Sequence, residues 1–351
     1  LWYTAPTATV SSTTAPTIDT NVTTKTVVTH YVAVVNAQGC ESTRVPITLT
    51  IDDTTNPSLS VPPALVVDCK SATRTATIDA WLAQATASDT CQGVVTPTND
   101  YTPPADPCAA GTTTVTFTAK DKFGNTVTKT SVITNLSVIA NGDTNTTTIN
   151  GGTGAPNVID VLSNDKVNGK TPTVSTVSLT VTNPATPKQS GANVPTLDKT
   201  TGKVTVPPST PAGTYTIVYQ ICATLSGTTA CDSAIVTVTV SASQIEANPD
   251  TGNVPNGANG GTVSSVLSND KLNGVPPTQG TVTITWNVPS GWTGNPDGTI
   301  TVPAGTRSGT YTATYTICEK ANPGNCASSV VTVTVGAPPI VANPDTGNVP
   351  N

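Results

Sequence analysis

Alternation with a period of two dominates this chain. In Gly213–Cys222, Tyr215, Ile217, Tyr219 and Ile221 share one face, and Thr214, Thr216, Val218, Gln220 and Cys222 share the other. The next segment places Val236, Val238 and Val240 on one side and Cys231, Ser233, Thr237 and Thr239 opposite. Further on, Tyr311, Tyr315 and Ile317 alternate in the same way, as do Val331, Val333 and Val335. Earlier strands are expected at Lys25–Asn36, Val45–Ile51, Ser58–Val67 and Arg74–Ile78, and at Thr112–Ala119 with Val115 and Phe117 inward. The turn at Asp121–Asn125 returns the chain through Thr126–Thr134. One segment breaks the alternation: Asp79–Ala85 reads as a helix, with Asp79 as its N-cap and Trp81 and Leu82 packing inward. The expected class is all-β.

Repetition sets the domain count. Val161–Gly169 returns almost unchanged as Val266–Gly274, Gly213–Cys222 returns as Gly309–Cys318, and Ala247–Asp250 as Ala342–Asp345. The last pair gives a period of 95 residues (342 − 247), the size of an immunoglobulin domain. Tandem immunoglobulin-like β-sandwich domains arranged end to end as a rod are therefore expected. Residues 1–52 read as the C-terminal part of a truncated Ig-like domain. Residues 53–137 form a different sandwich, 138–243 and 244–340 are the two repeats, and 341–351 open a further one. The chain is expected to be a piece of something longer. Short junctions, the second stiffened by Pro338-Pro339, favour a stiff array.

Composition narrows the function classes. Only 10% of the 351 residues are charged and 4% aromatic, with one His and a net charge of −6, so no basic surface exists for nucleic acid. His30 alone cannot supply a His-based triad, and scattered Asp residues lie in turns of different modules, so an enzyme is not expected. The eight Cys say more. Cys222 and Cys231 have the outward parity of one hairpin, and Cys318 and Cys326 obey the same rule. Disulfides Cys222–Cys231 and Cys318–Cys326 are expected, each stabilising by roughly 2–3 kcal/mol. No CxxC pair supports a metal reading. Cys69 is expected to bond to Cys91 or Cys108, and Cys40 to a partner upstream of Leu1. Such bridges belong to an oxidising compartment.

The motifs carry a resemblance. Leu1-Trp-Tyr-Thr4, His30-Tyr-Val32 and Asn36-Ala-Gln-Gly-Cys-Glu-Ser42 resemble the tails of Ig-like domains in the giant repetitive surface adhesins of gliding Bacteroidetes, the SprB type. Val66-Val-Asp-Cys69, Asp79-Ala-Trp-Leu82, Ser88-Asp-Thr-Cys91 and Thr114–Asn125 resemble a hyalin-repeat (HYR) module, which often has Cys where Phe123 stands here. The Val-Leu-Ser-Asn-Asp segments resemble bacterial cadherin-like repeats. The resemblance implies type IX secretion, extracellular display on a bacterial cell surface, and a stalk serving cell adhesion and gliding motility. Its implied partners are neighbouring repeats and the outer-membrane secretion and motility machinery, possible contact with surface polysaccharide being the other.

Three candidate chemistries follow. Cadherin-like repeats place carboxylates at module junctions, which makes Asp143, Asp160 and Asp165, and then Asp250 and Asp270, candidate calcium ligands. Against this, Asn-Asp pairs also cap turns. No other cofactor is expected. Trp286 and Trp292, flanked by Gly291 and Gly294, could stack on sugar rings if exposed, which would make the chain a carbohydrate-binding array instead of a stalk. Asp53-Thr-Thr55 and Asp232-Ser-Ala234 resemble the Bacteroidetes O-glycosylation acceptor, with Thr54 and Ser233 as the modified residues.

Overall fold

The computed structural model describes residues 1–344 and 347. The expected opening of a further repeat at 341–351 lies largely outside them. The chain divides into two compact units, the first made of Leu1–Ser137 with Thr224–Ala230 and the second of the remaining described residues from Val138 on.

The first unit begins with a three-stranded antiparallel sheet of Trp2–Tyr3, Thr26–Val32 and Val45–Ile51. The long link between the first two strands is tied down by Arg44. Its guanidinium lies 3.4 Å above the Tyr3 ring and donates to the carbonyls of Pro6 and Ala8. Next comes a sandwich. One sheet sets Thr126–Leu136 antiparallel to Gly111–Lys120 and parallel to Leu65–Asp68, with Thr98–Asn99 at the edge. The facing sheet is Ser58–Ser60, Thr86–Asp89 and Gly93–Val95. Leu59, Ile78, Trp81, Val95, Val115 and Phe117 meet between them.

Two strand expectations fail here. Ser58–Val67 is two strands in different sheets, because Pro62-Pro63 cannot donate to a ladder and the chain crosses over at that point. Arg74–Ile78 is not a strand. It is the start of a helix, Arg74–Leu82, with Thr73 at the N-cap position but making no side-chain capping bond, so Asp79 sits inside the helix and is not its N-cap. The Thr residues of Arg-Thr-Ala-Thr-Ile mimic a strand by propensity. What decides is burial at helical spacing: Arg74, Ile78 and Trp81 face inward together. Arg74 Nη2 donates to Asn135 Oδ1 at 3.0 Å, and Trp81 Nε1 to the Pro63 carbonyl at 2.7 Å. This is the single α-helix among the described residues.

The second unit holds the two repeats, and they share one topology. In 244–340, one sheet runs Asp250–Val254, Cys326–Val335, Gly309–Glu319, Val282–Asn287, and the other Gly261–Val263, Ile300–Val302, Thr293–Gly294. The earlier repeat matches it with Asp143–Thr144, Thr228–Ser241, Gly213–Leu225 and Ser178–Asn183 against Ala155–Asp160, Lys203–Val206 and Thr196–Asp198. In each, the first strand of the larger sheet lies parallel to its last, after a short strand, Val138–Ile139 or Ile245–Glu246, that pairs antiparallel elsewhere. The alternation holds throughout: Tyr215, Ile217, Tyr219, Ile221, Val236, Val238 and Val240 are buried, as are Tyr315, Ile317, Val331, Val333 and Val335. Gly154 and Gly260 occupy equivalent turns at φ +63° and +66°, where an added Cβ would lie 2.4 and 2.5 Å from a backbone oxygen. The chain is thus all-β, a series of immunoglobulin-like sandwiches.

Candidate functional site

Four of the five Asp residues expected to gather do so, Asp143 with Asp165 and Asp250 with Asp270, each pair around a tyrosine. Tyr219 and Tyr315 hold the same place on the long central strand, three residues before its cysteine. Strand parity turns each ring into the core. The Tyr219 hydroxyl reaches the Asn141 carbonyl at 3.0 Å, the Val161 carbonyl and both oxygens of Asp165 at 3.1 Å, and Asp143 Oδ2 at 3.3 Å. The Tyr315 hydroxyl reaches the Asn248 carbonyl at 2.9 Å, Asp270 Oδ1 at 2.8 Å and Asp250 Oδ2 at 3.2 Å. Local turns fix the acids. Asp165 Oδ1 accepts the Asn141 amide and Asp270 Oδ1 the Asn248 amide, each at 2.7 Å. Asn141 and Asn248 in turn donate to the carbonyls of Asn164 and Asn269. Asn-x-Asp, Asn-Asp and Tyr therefore form one motif, closing the start of each repeat onto its central strand.

Chemistry follows from the count of protons. One phenol proton faces several acceptor oxygens, and Asp165 and Asp270 are fully buried. Burial, above all, pushes the Asp143 carboxyl up to about 6; the Tyr219 bond opposes this, and the nearby Asp165 charge adds to it. Asp250 is likewise pushed up to about 6 by burial, against the Tyr315 bond. Asp165 and Asp270 are raised as well, again chiefly by burial. Both tyrosines are raised by burial, with the acidic neighbours adding to it. Each pair is thus built to share protons as pH falls.

A raised carboxyl binds its proton more tightly folded than unfolded. Its contribution to stability is full below about pH 4 and is lost as pH rises through about 6. Acidification from pH 7.5 to 5 is therefore expected to stabilise each repeat by about 1.4 kcal/mol, a gain of roughly 5–10 °C in Tm. Differential scanning calorimetry at the two pH values, with Asp143→Asn and Asp250→Asn as controls that reduce the gain, checks this. A Tm that falls on acidification contradicts it.

The arrangement does not fit calcium as the sequence suggested. Calcium takes about six to eight oxygens around itself, whereas the oxygens here converge on a hydroxyl that already occupies their centre. Asp160 is a correction: it stands outside the set, paired with Lys203 Nζ at 2.6 Å.

The disulfides fall where parity placed them. Cys222–Cys231 and Cys318–Cys326 each span 4.1 Å between Cα atoms, the spacing of directly opposed strand residues. Cys69 bonds Cys108, settling the open alternative. Cys91 is the correction: it is an exposed free thiol, held in the turn after Thr86–Asp89 by its own amide on Asp89 Oδ1. Cys40 is exposed and free too.

The tryptophans do not offer sugar platforms, which corrects that expectation. Trp292 is only 8% exposed and packs on Tyr311 at 5.0 Å between centroids. Trp286 packs on Tyr315 and donates to the Asn295 carbonyl, and Gly294 lies against its ring with no room for a Cβ. Thr54 and Ser233, the candidate glycosylation sites, are both exposed.

Sequence reasoning missed the seam between the repeats. Glu319 is buried and accepts from Ser243 Oγ at 2.6 Å and Asn325 Nδ2 at 2.8 Å. Asn273 donates to Ser243 Oγ at 3.0 Å and accepts from Asn150 Nδ2 at 2.6 Å. The available signal was an acid at position 319 following Cys318, where the earlier repeat has Ala223.

Residues 1–52 match the family model of an Ig-like domain described as CHU_C associated. The match concerns the first module alone. No match was found among curated proteins. Among solved structures, the chain is similar to mouse cadherin-23 EC22-24, with 12% identity over 80% of this chain and 98% of that one, TM-score 0.28. It is similar to cadherin domains 1–4 of protocadherin gamma B7, with 11% identity over 89% of this chain and 83% of that one, TM-score 0.30. An endo-fucoidan hydrolase of glycoside hydrolase family 107 aligns at 13% identity over 71% of this chain and 40% of that one, TM-score 0.25. At such scores these likenesses carry no argument, and the fold stands on its own sheets. With three disulfides, the chain belongs to an extracellular, oxidising setting.

Proposed function

We propose that this chain is a load-bearing stalk segment of a large secreted bacterial surface adhesin, serving cell adhesion and gliding. The observation that carries the reading is the parallel pairing of the first and last strands of the larger sheet in each repeat, Asp250–Val254 on Val331–Val335 in the second. Parallel neighbours leave a domain at opposite ends, so tension along the chain loads their hydrogen bonds together, in shear. The disulfide at the far end of the same hairpin supports the reading, since it keeps the closing strand in register. Neighbouring repeats and the secretion and motility machinery are the partners this role implies; surface glycans belong to the competing binding role.

Single-molecule stretching of the full chain tests it. The expected trace contains a discrete force peak for each repeat. Extension without such peaks would remove the mechanical role. A glycan array gives an independent check: no retention is expected, and strong retention of the chain by one glycan class would transfer the role to binding.

A further inference from the structure

Asp53, Asp89 and Cys91 come together at the entry to the second module, in the first unit. Each offers one ligand atom, and the three atoms lie within 4.8 Å of one another. Both carboxylates are pinned through one oxygen, which aims the other. Asp53 Oδ1 accepts the amide and hydroxyl of Thr55, and Asp89 Oδ1 accepts the amides of Cys91 and Gln92 at 2.8 and 2.9 Å. Asp53 is 8% exposed, and its Oδ2 is buried with no hydrogen-bond partner. An unpartnered buried carboxylate oxygen is costly in a folded protein. Asn125 Nδ2 holds the Asp53 carbonyl at 3.0 Å, so the backbone is fixed as well. Cys91 is a free thiol within 4.8 Å of a carboxylate oxygen of each acid, while Cys69 and Cys108 satisfy each other.

We propose that Asp53, Asp89 and Cys91 bind a divalent transition-metal ion of the zinc class. The donor set decides the ion. Sulfur is a poor ligand for calcium or magnesium, which take oxygen. Zinc accepts thiolate and carboxylate together, at about 2.3 and 2.0–2.2 Å, and is satisfied by four ligands. The exposed side of Cys91 leaves the fourth position to water. Binding replaces the thiol proton, which leaves to solvent as the sulfur–metal bond forms. The ion would tie the segment entering the module to the turn after Thr86–Asp89, and would shield the thiol from oxidation.

Cobalt(II), which reports thiolate ligation by a near-ultraviolet charge-transfer band, is the probe. The full chain, stripped of metal, is titrated with cobalt alone and then with zinc. The expected result is a band that saturates at one ion per chain and is displaced by zinc. Cys91→Ser abolishes it, and Cys40→Ser leaves it intact. Asp53→Asn, which keeps an acceptor for Thr55, and Asp89→Asn each weaken affinity by at least the roughly 10–100-fold that loss of an outer-shell partner costs. Circular dichroism of the metal-free variants confirms that they fold. The proposal is overturned by the absence of a thiolate band, by a band that survives Cys91→Ser or vanishes in Cys40→Ser, or by recovery of Cys91 in a disulfide between two chains.

Discussion

Truncation of Tyr219 or Tyr315 to alanine is expected to unfold the repeat that contains it. Each ring is almost fully buried in a sandwich core, and removing a buried aromatic costs about 3–5 kcal/mol. The change also strips two buried acids of the donor they share, for roughly 1–3 kcal/mol more. Against a domain stability of about 5–15 kcal/mol, that sum removes most or all of the margin. Urea titration followed by tryptophan fluorescence reads the second repeat once Trp2 and Trp81, both in the first unit, are replaced by phenylalanine, which leaves Trp286 and Trp292 as the reporters. Phenylalanine separates the two contributions. Tyr315→Phe keeps the packing and loses only the hydroxyl, so it costs about 1–3 kcal/mol. That hydroxyl lowers the acids it touches, so its loss pushes Asp250 and Asp270 further up, and the stabilisation on acidification grows. A Tyr315→Ala chain as stable as its parent would show that the cluster holds nothing together.

Removal of one hairpin disulfide is expected to cost the next largest amount. The bridges close loops with sequence separations of 9 and 8, which the chain-entropy model values at roughly 2.5 kcal/mol each. The double change Cys318→Ala with Cys326→Ala leaves the inward faces of both strands untouched, since neither cysteine contributes to the core. The loss should therefore appear as a lower urea midpoint with an unchanged slope. A changed slope would mean that releasing so short a loop also alters how compact the denatured or native chain is.

The all-β class and both hairpin bridges were legible because they rest on parity, a local property of the chain. The helix at Arg74–Leu82 was read only in its second half. Its start depends on Arg74 meeting Asn135, a partner 61 residues away that no local window contains. The acids were singled out as calcium candidates beside the alternative that Asn-Asp caps turns, and the tyrosine hydroxyl that Asp143, Asp165, Asp250 and Asp270 meet was in neither reading. Asn-Asp motifs advertise oxygen atoms, and nothing local says whether these face a cation or a hydroxyl. The tyrosines that decide it were already assigned to the core by alternation, and the same residue does both jobs. Asp160 was drawn into the set by proximity in sequence, yet Lys203 on the facing strand claims it. The tryptophans illustrate the reverse error: flanking glycines suggested exposure, whereas Gly294 is there to let Trp286 lie flat against the backbone.

The seam between the two repeats is made of amides, a serine and one buried glutamate. Such contacts demand alignment, because a hydrogen bond weakens steeply once its angle departs from linear. If the seam parts, water can serve every group it uncovers, and little greasy surface is offered to passing molecules. Two consecutive domains joined this way can yield to a sudden tug and click back into the same mutual pose, without adhering to the wrong neighbour in between.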